Sequence, residues 1–225
     1  VPVAVIVLVW QWITLPSLAV TPEAHTARDI FGVFKALKRP TVAWGMAACG
    51  LFFMGQFILF TYVRPFLETV TRVDVTMVSV ALLLLGVTGF VGTVLIGRFL
   101  GAGLYRTLAV IPALMAVIAA SLVAFGASLP VVLVLLGVWG LLGTSAPVGW
   151  WSWVARVMPH NAEQGGGLMV AVVQTCIALG STAGGLLFDA VGYRGAFLTS
   201  AGVLLLAAIL TVLTARIARN TSPTG

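Results

Sequence analysis

The sequence predicts an all-α polytopic membrane protein: a six-helix bundle preceded by the end of one further membrane helix. Three observations predict it. Of the 225 residues, 60% are hydrophobic and only 8% charged, and the mean hydropathy is +1.13. A soluble domain carries about 25% charged residues, so a chain this poor in charge cannot clothe a water-facing surface, and lipid must be the solvent for much of it. The charges also cut the chain into long uncharged windows. Finally, the basic residues alternate between the two sides that those windows define.

Residues 1–19 read as the end of a truncated membrane helix, with Trp10 and Trp12 near its exit. No basic segment precedes this apolar run, so it does not read as a signal peptide. Without an initiator Met, the chain is expected to be a piece of a longer protein. Residues 20–41 form a polar, basic linker on the cytoplasmic side, carrying Glu23, Arg28, Asp29, Lys35, Lys38 and Arg39. Its Phe31 and Phe34 suggest a short amphipathic surface helix.

A spanning helix needs about 20 apolar residues. The six full spans are expected at about 42–63, 75–97, 107–126, 130–153, 165–188 and 196–215, followed by a cytoplasmic tail at 216–225. No charged residue lies between Thr107 and Ala155. At ~1.5 Å per residue this window would make one helix of about 74 Å, so it must fold back, and Ala127-Ser128-Leu129-Pro130 is its one convincing turn. With the linker inside, nine Arg and Lys fall in inner segments and three (Arg64, Arg72, Arg194) in outer ones, an arrangement that fits the positive-inside rule.

Several function classes are excluded on the same grounds. The net charge of +6 suggests no nucleic-acid partner, because the basic residues are scattered between apolar runs and form no stripe. No His/Asp/Glu cluster at membrane depth could perform enzyme chemistry, and no Gly-rich phosphate loop is present to power an ATP-driven pump. Cys49 and Cys176 lie in apolar runs at a spacing that matches no metal or redox motif, so they read as small buried hydrophobes. His160, between Pro159 and Asn161, reads as a solvated loop residue.

Polar residues concentrate in some spans. Gln56 and Thr61 lie in the first, Thr88 and Thr93 in the second, Trp139, Thr144, Ser145 and Ser152 in the fourth, and Gln174, Thr175, Ser181 and Thr182 in the fifth. The third and sixth therefore read as lipid-facing and the others as lining an interior. Two similar three-helix units would produce such a pattern, and repeats of this kind are a feature of secondary transporters. Gly86, Gly89, Gly92 and Gly97 in span two, and Gly180, Gly184 and Gly185 in span five, mark close helix approach.

The end of span five, Gly180-Ser-Thr-Ala-Gly184-Gly185-Leu-Leu-Phe-Asp189-Ala-Val-Gly192-Tyr-Arg194-Gly-Ala-Phe197, is similar to the eleventh helix of drug:proton antiporters of the major facilitator superfamily. The stretches Gly55-Gln56-Phe57-Ile-Leu-Phe60-Thr61-Tyr62-Val-Arg64-Pro65, Pro147-Val148-Gly149-Trp150-Trp-Ser-Trp153-Val-Ala-Arg156 and Val170-Ala-Val-Val-Gln174 resemble the branch of that superfamily that exports purine ribonucleosides. The resemblance runs from the linker to the tail. It implies the C-terminal half of a secondary carrier in a bacterial inner membrane, with export of inosine- or guanosine-like nucleosides driven by proton entry. Sugar or drug efflux, or a half-transporter that does not transport, are the alternatives. The proton is the coupling ion and no other cofactor is implied. The implied partners are a small-molecule substrate, membrane lipid and a preceding six-helix half. In the loop between spans two and three, Gly92 to Arg98 lacks the Asp of the superfamily's loop signature.

Gln174, near the middle of span five, and Gln56, near Phe60 in span one, can each donate and accept hydrogen bonds to a nucleobase edge or a ribose hydroxyl. Trp139, deeper in span four than Trp150, Trp151 and Trp153, could stack a base, whereas those three read as interface residues. Tyr62 and Arg64 at the outer end of span one are gating candidates, with Glu68 as a local partner for Arg64. Pro147 could open span four as a hinge. Asp189 is the acid that borders a membrane run at the outer end and is a further gating candidate. No acid lies in the middle of any span, so the proton-coupling residue is expected outside this chain.

Overall fold

The computed structural model describes Trp10, residues 37–159 and residues 161–221. The chain divides into two units, Val1–Phe31 and Gly32–Gly225, and the helical bundle belongs to the second. The truncated helix, the linker helix with Phe31 and Phe34, and His160 lie outside the described residues, apart from Trp10, which is helical and exposed.

The described residues of the second unit are helical throughout except for short turns. Helix α1 (Pro40–Phe60) starts where Arg39 is extended and a proline occupies the first turn, a position that asks nothing of its missing N–H. A turn at Thr61–Tyr62 leads into a single helical turn, α2 (Val63–Phe66), and a π-helical turn (Leu67–Thr71). Arg72 ends this turn in the left-handed region, at φ 60°. The chain from 63 to 71 is thus coiled rather than an open loop. Helix α3 (Val75–Gly101) is capped by Asp74, whose carboxylate accepts from the Met77 N–H at 3.0 Å. It breaks at Gly103, whose backbone is extended, into α4 (Gly103–Phe125). Helix α5 (Leu129–Val157) follows the turn at 126–128. Residues 162–191 form α6 and residues 193–221 form α7, separated by Gly192 at φ 75°, a conformation that only glycine adopts without strain.

The fold-back at Gly192 is evident from the neighbours of each half. Gly180 packs against the backbone of Met54, while Gly55, one residue on, packs against Leu204. Residues 180 and 204 would be about 36 Å apart on one straight helix, so α6 and α7 must run antiparallel with α1 between them. At the other break, the Thr107 hydroxyl donates to the Phe99 carbonyl at 3.2 Å and to Gly103 at 3.0 Å, closing the corner between α3 and α4.

Two close seams organise the bundle. On the first, α3 meets α5: a Cβ on Gly92 would collide with the Leu141 carbonyl, and one on Gly140 with that of Leu85. On the second, α1 meets α6, through Gly50 against Cys176 and Gly184 against the Ile58 carbonyl. Both cysteines are free, Cys49 buried and Cys176 half-buried. Aromatic packing closes the outer end, where Phe66 lies 4.9 Å from Phe197 and 5.5 Å from Tyr193.

Exposure does not follow the expected split between lipid-facing and interior spans. In the most apolar window of α3, 28% of residues are buried, against 44% in α4. The second span therefore exposes more than the third. Helix α3 packs along one side only, through Val78, Ala81, Leu85, Gly89, Gly92, Ile96 and Leu100. Helix α4 buries Leu108, Ile111, Met115, Ala119 and Leu122, together with the flanking Ala116 and Ile118.

Replacing Gly92 by valine is expected to destabilise the bundle by about 1–3 kcal/mol through overpacking, while Gly86→Val, with nothing within 4 Å of its Cβ position, should be near neutral. Thermal melts of both variants in one detergent check this.

Candidate functional site

Gln56 of α1 meets α5 at Gly143, one turn from each of two further sequence-derived candidates, Trp139 and Pro147. Trp139, Gly143 and Pro147 succeed one another at i, i+4 and i+8, which keeps them on one side of the helix. Opposite stands Gln56 of α1. A Cβ on Gly143 would lie 2.8 Å from Gln56 Nε2, so the absent side chain admits the amide to the surface of α5. The Met115 methyl closes the same spot from α4. Proline at 147 has no N–H, so the Gly143 carbonyl loses its usual helical donor on the turn that the Gln56 amide approaches.

The polar atoms here are unusual for this bundle. Among the described residues, the buried side-chain atoms lacking a hydrogen-bond partner are Gln56 Oε1 and Trp139 Nε1. Trp139 is 1% exposed, so its ring faces are packed and closed to stacking in this conformation. Its unbonded N–H is what it can offer a ligand. A buried polar group without a partner costs about 1–3 kcal/mol, and a binding site can bear that cost because the ligand removes it.

Elsewhere among the described residues the buried side-chain polar atoms have partners. The Ser200 hydroxyl on α7 donates to the Gly55 carbonyl at 2.6 Å. The Thr144 hydroxyl donates across to Gly89 at 2.7 Å and within its own helix to Gly140 at 2.9 Å. The Thr61 hydroxyl donates to the Phe57 carbonyl at 2.9 Å and stands 3.0 Å from the Ser181 hydroxyl of α6.

The remaining candidates lie apart from this turn. Gln174 is exposed, about 200° around α6 from Cys176, which faces α1. Tyr62 is no free interface residue. Its hydroxyl donates to the Ser181 carbonyl at 3.1 Å and its ring stacks on Phe188 at 5.3 Å, with Gly184 and Gly185 making room. Arg64 pairs with the local acid Glu68 at 2.8 Å, one helical turn away and exposed. Asp189 is exposed near the end of α6. Pro147 opens no hinge in this conformation: α5 is one helix from Leu129 to Val157, because a single missing N–H leaves the rest of the ladder intact. Trp150 and Trp153 are buried rather than interfacial, at 2% and 1% exposure, and only Trp151 is open. Their rings meet edge to face at 5.7 Å, Gly45 makes room for Trp153, and the Trp153 indole donates to the Tyr105 hydroxyl at 3.2 Å. Sequence reasoning missed the Gly143 partner of Gln56. The only signal for it was glycine four residues ahead of an intrahelical proline.

The model for the Major Facilitator Superfamily matches residues 1–181. The chain belongs to that superfamily. Among its relatives, a Pseudomonas aeruginosa protein named transcription regulatory protein OpdE is 60% identical over 216 residues, covering 96% of this chain and 54% of that protein. The purine ribonucleoside efflux pump NepI of Salmonella paratyphi B is 34% identical over 213 residues, covering 95% of this chain and 53% of the pump. The Salmonella typhimurium pump of the same name shows the same identity and coverage. The chain thus spans about half the length of the curated relatives it matches. A major facilitator chain with helices long and apolar enough to cross a bilayer is a multi-pass membrane protein.

Removing the Tyr62 hydroxyl with Tyr62→Phe is expected to cost about 0.5–1.5 kcal/mol, and Tyr62→Ala about 3–5 kcal/mol because it also empties the pocket beside Phe188. Denaturant titration of purified protein in detergent separates the two.

Proposed function

We propose that this chain is the C-terminal half of a proton-coupled exporter of purine ribonucleosides in a bacterial inner membrane, and that Gln56 and Trp139 present polar atoms to the substrate. The observation that carries the reading is the pair of buried, unpartnered atoms on the α1–α5 face, an acceptor at Gln56 Oε1 and a donor at Trp139 Nε1. A nucleoside carries matching groups: ring N–H and ribose hydroxyl donors for the first, ring nitrogen or carbonyl acceptors for the second. The likeness to NepI supports that substrate class. Sugars and many drugs offer similar groups, and they are the competing cargo on the same scaffold.

Gln174, on the open side of α6, is proposed as a further contact with the substrate. Tyr62 and Arg64 at the outer end are proposed to act in gating, through the α1–α6 seam and the Glu68 pair respectively. Asp189 is proposed as an outer-end acid available to a gate. Pro147 is proposed to weaken α5 at Gly143 enough for it to bend when the substrate leaves. The coupling proton is assigned to a group in the remainder of the full-length protein, since the described spans hold no acid at mid-depth.

A second reading rests on the 60% identity to a protein named as a transcription regulator. A carrier changes transcription indirectly by changing the cytoplasmic level of the solute it moves, so the two readings are joined through transport. A transcriptional effect that survives in an export-dead variant would separate them.

In the full-length protein, Gln56→Leu and Trp139→Phe are each expected to lower inosine export at least ~5-fold, from the loss of one hydrogen bond to a buried partner. Gln174→Leu should lower it less, because that site is open. Efflux of labelled inosine at equal membrane abundance measures all three. Unchanged export in both Gln56→Leu and Trp139→Phe would refute the assigned site.

A further inference from the structure

Charge is distributed unequally between the two ends of the described bundle. At the end holding the α1 start, the α3–α4 corner and the α5 terminus stand Lys38, Arg39, Arg98, Arg106, Arg156, Arg216 and Arg219, with Glu163 as the acid. At the opposite end, Arg64, Arg72 and Arg194 are matched by Glu68, Asp74 and Asp189. One end is strongly cationic and the other is balanced.

Within the cationic end, three arginines share one corner. The Thr107 hydroxyl bonds the Phe99 carbonyl at 3.2 Å, which holds Arg98 and Arg106 on either side of the same turn. The Trp153 indole bonds the Tyr105 hydroxyl at 3.2 Å, which ties the residue beside Arg106 to the last turn of α5, where Arg156 lies. Gly149 of α5 packs on both Leu100 and Leu108, fixing the same corner from below. All three arginines are exposed, and among the described residues the one ion pair is Arg64–Glu68, at the other end. Beside them Phe99 is 60% exposed, as an aromatic residue at a headgroup boundary is.

We infer that the corner formed by Arg98, Arg106 and Arg156 is a binding site for the phosphate of an anionic phospholipid. Three exposed cations with no ion-pair partner among the described residues need a counter-charge, and guanidinium groups bind phosphate oxygens in bidentate fashion. The occupant is a lipid rather than a free anion because the exposed Phe99 and Val94, the latter one turn before Arg98, provide apolar surface beside the arginines. Each basic residue near an anionic leaflet adds about fivefold to the attraction.

The test uses full-length protein reconstituted in phosphatidylcholine containing phosphatidylglycerol, with retained lipids counted by native mass spectrometry. The wild type should retain phosphatidylglycerol above its bulk share. The Arg98→Gln/Arg106→Gln/Arg156→Gln variant should fall to the bulk share, while Arg64→Gln/Arg72→Gln/Arg194→Gln should keep it. Replacing the first three with lysine should restore retention in part, which separates lost charge from lost folding. Raising salt should weaken retention by the wild type. Retention unchanged in the inner glutamine variant, or no preference for phosphatidylglycerol in the wild type, overturns the site. Inorganic phosphate displacing the lipid at millimolar concentration overturns the choice of lipid as occupant.

Discussion

The close approach of helix backbones at glycine is the constraint on which the rest of this structure depends. In lipid no hydrophobic effect pulls helices together, because acyl chains are as apolar as leucine, and association rests on packing and interhelical hydrogen bonds. Glycine supplies both here. Gly92 and Gly140 bring α3 against α5, and Gly180 and Gly184 bring α6 against α1, each with a carbonyl where a Cβ would otherwise stand. Once the backbones touch, short side chains can reach across them. Thr144 reaches the Gly89 carbonyl, Ser200 that of Gly55, and Tyr62 that of Ser181.

That thorough pairing is why the α1–α5 turn stands out. A bundle that satisfies its serines and threonines across these seams nonetheless leaves one amide oxygen and one indole N–H buried and unbonded. Both lie near the turn where Pro147 offers the Gly143 carbonyl no backbone donor and Gly143 carries no side chain. Packing, backbone chemistry and unmet hydrogen-bonding capacity coincide at one depth. Because both atoms are buried in this conformation, a ligand reaches them only when the surrounding helices part.

Much of the architecture was legible because charge is so rare in this chain. Each uncharged window is about one bilayer long, the one double-length window contains a single Ser-Leu-Pro turn, and α5 starts at Leu129 beside it. The glycine clusters of the second and fifth spans pointed to close packing, and both seams use them. The tryptophans were less legible. Trp150, Trp151 and Trp153 look alike in sequence, yet only Trp151 is exposed, because the helical rotation between neighbours turns the other two inward. Arg64 and Glu68 could be paired from their i, i+4 spacing alone. The meeting of Gln56 with Gly143 could not, since it depends on which spans are neighbours, and no periodicity within one span reveals that. The same limit applies to Gln174, whose mid-span position says nothing about which side of α6 it occupies.

The most direct test is a structure of the full-length protein with inosine bound. A ligand atom, or one bridging water held by the ligand, is expected within hydrogen-bonding distance of Gln56 Oε1 or Trp139 Nε1. Inosine bound elsewhere, with those two atoms bonded instead to residues of the preceding half, would contradict the assignment of this site.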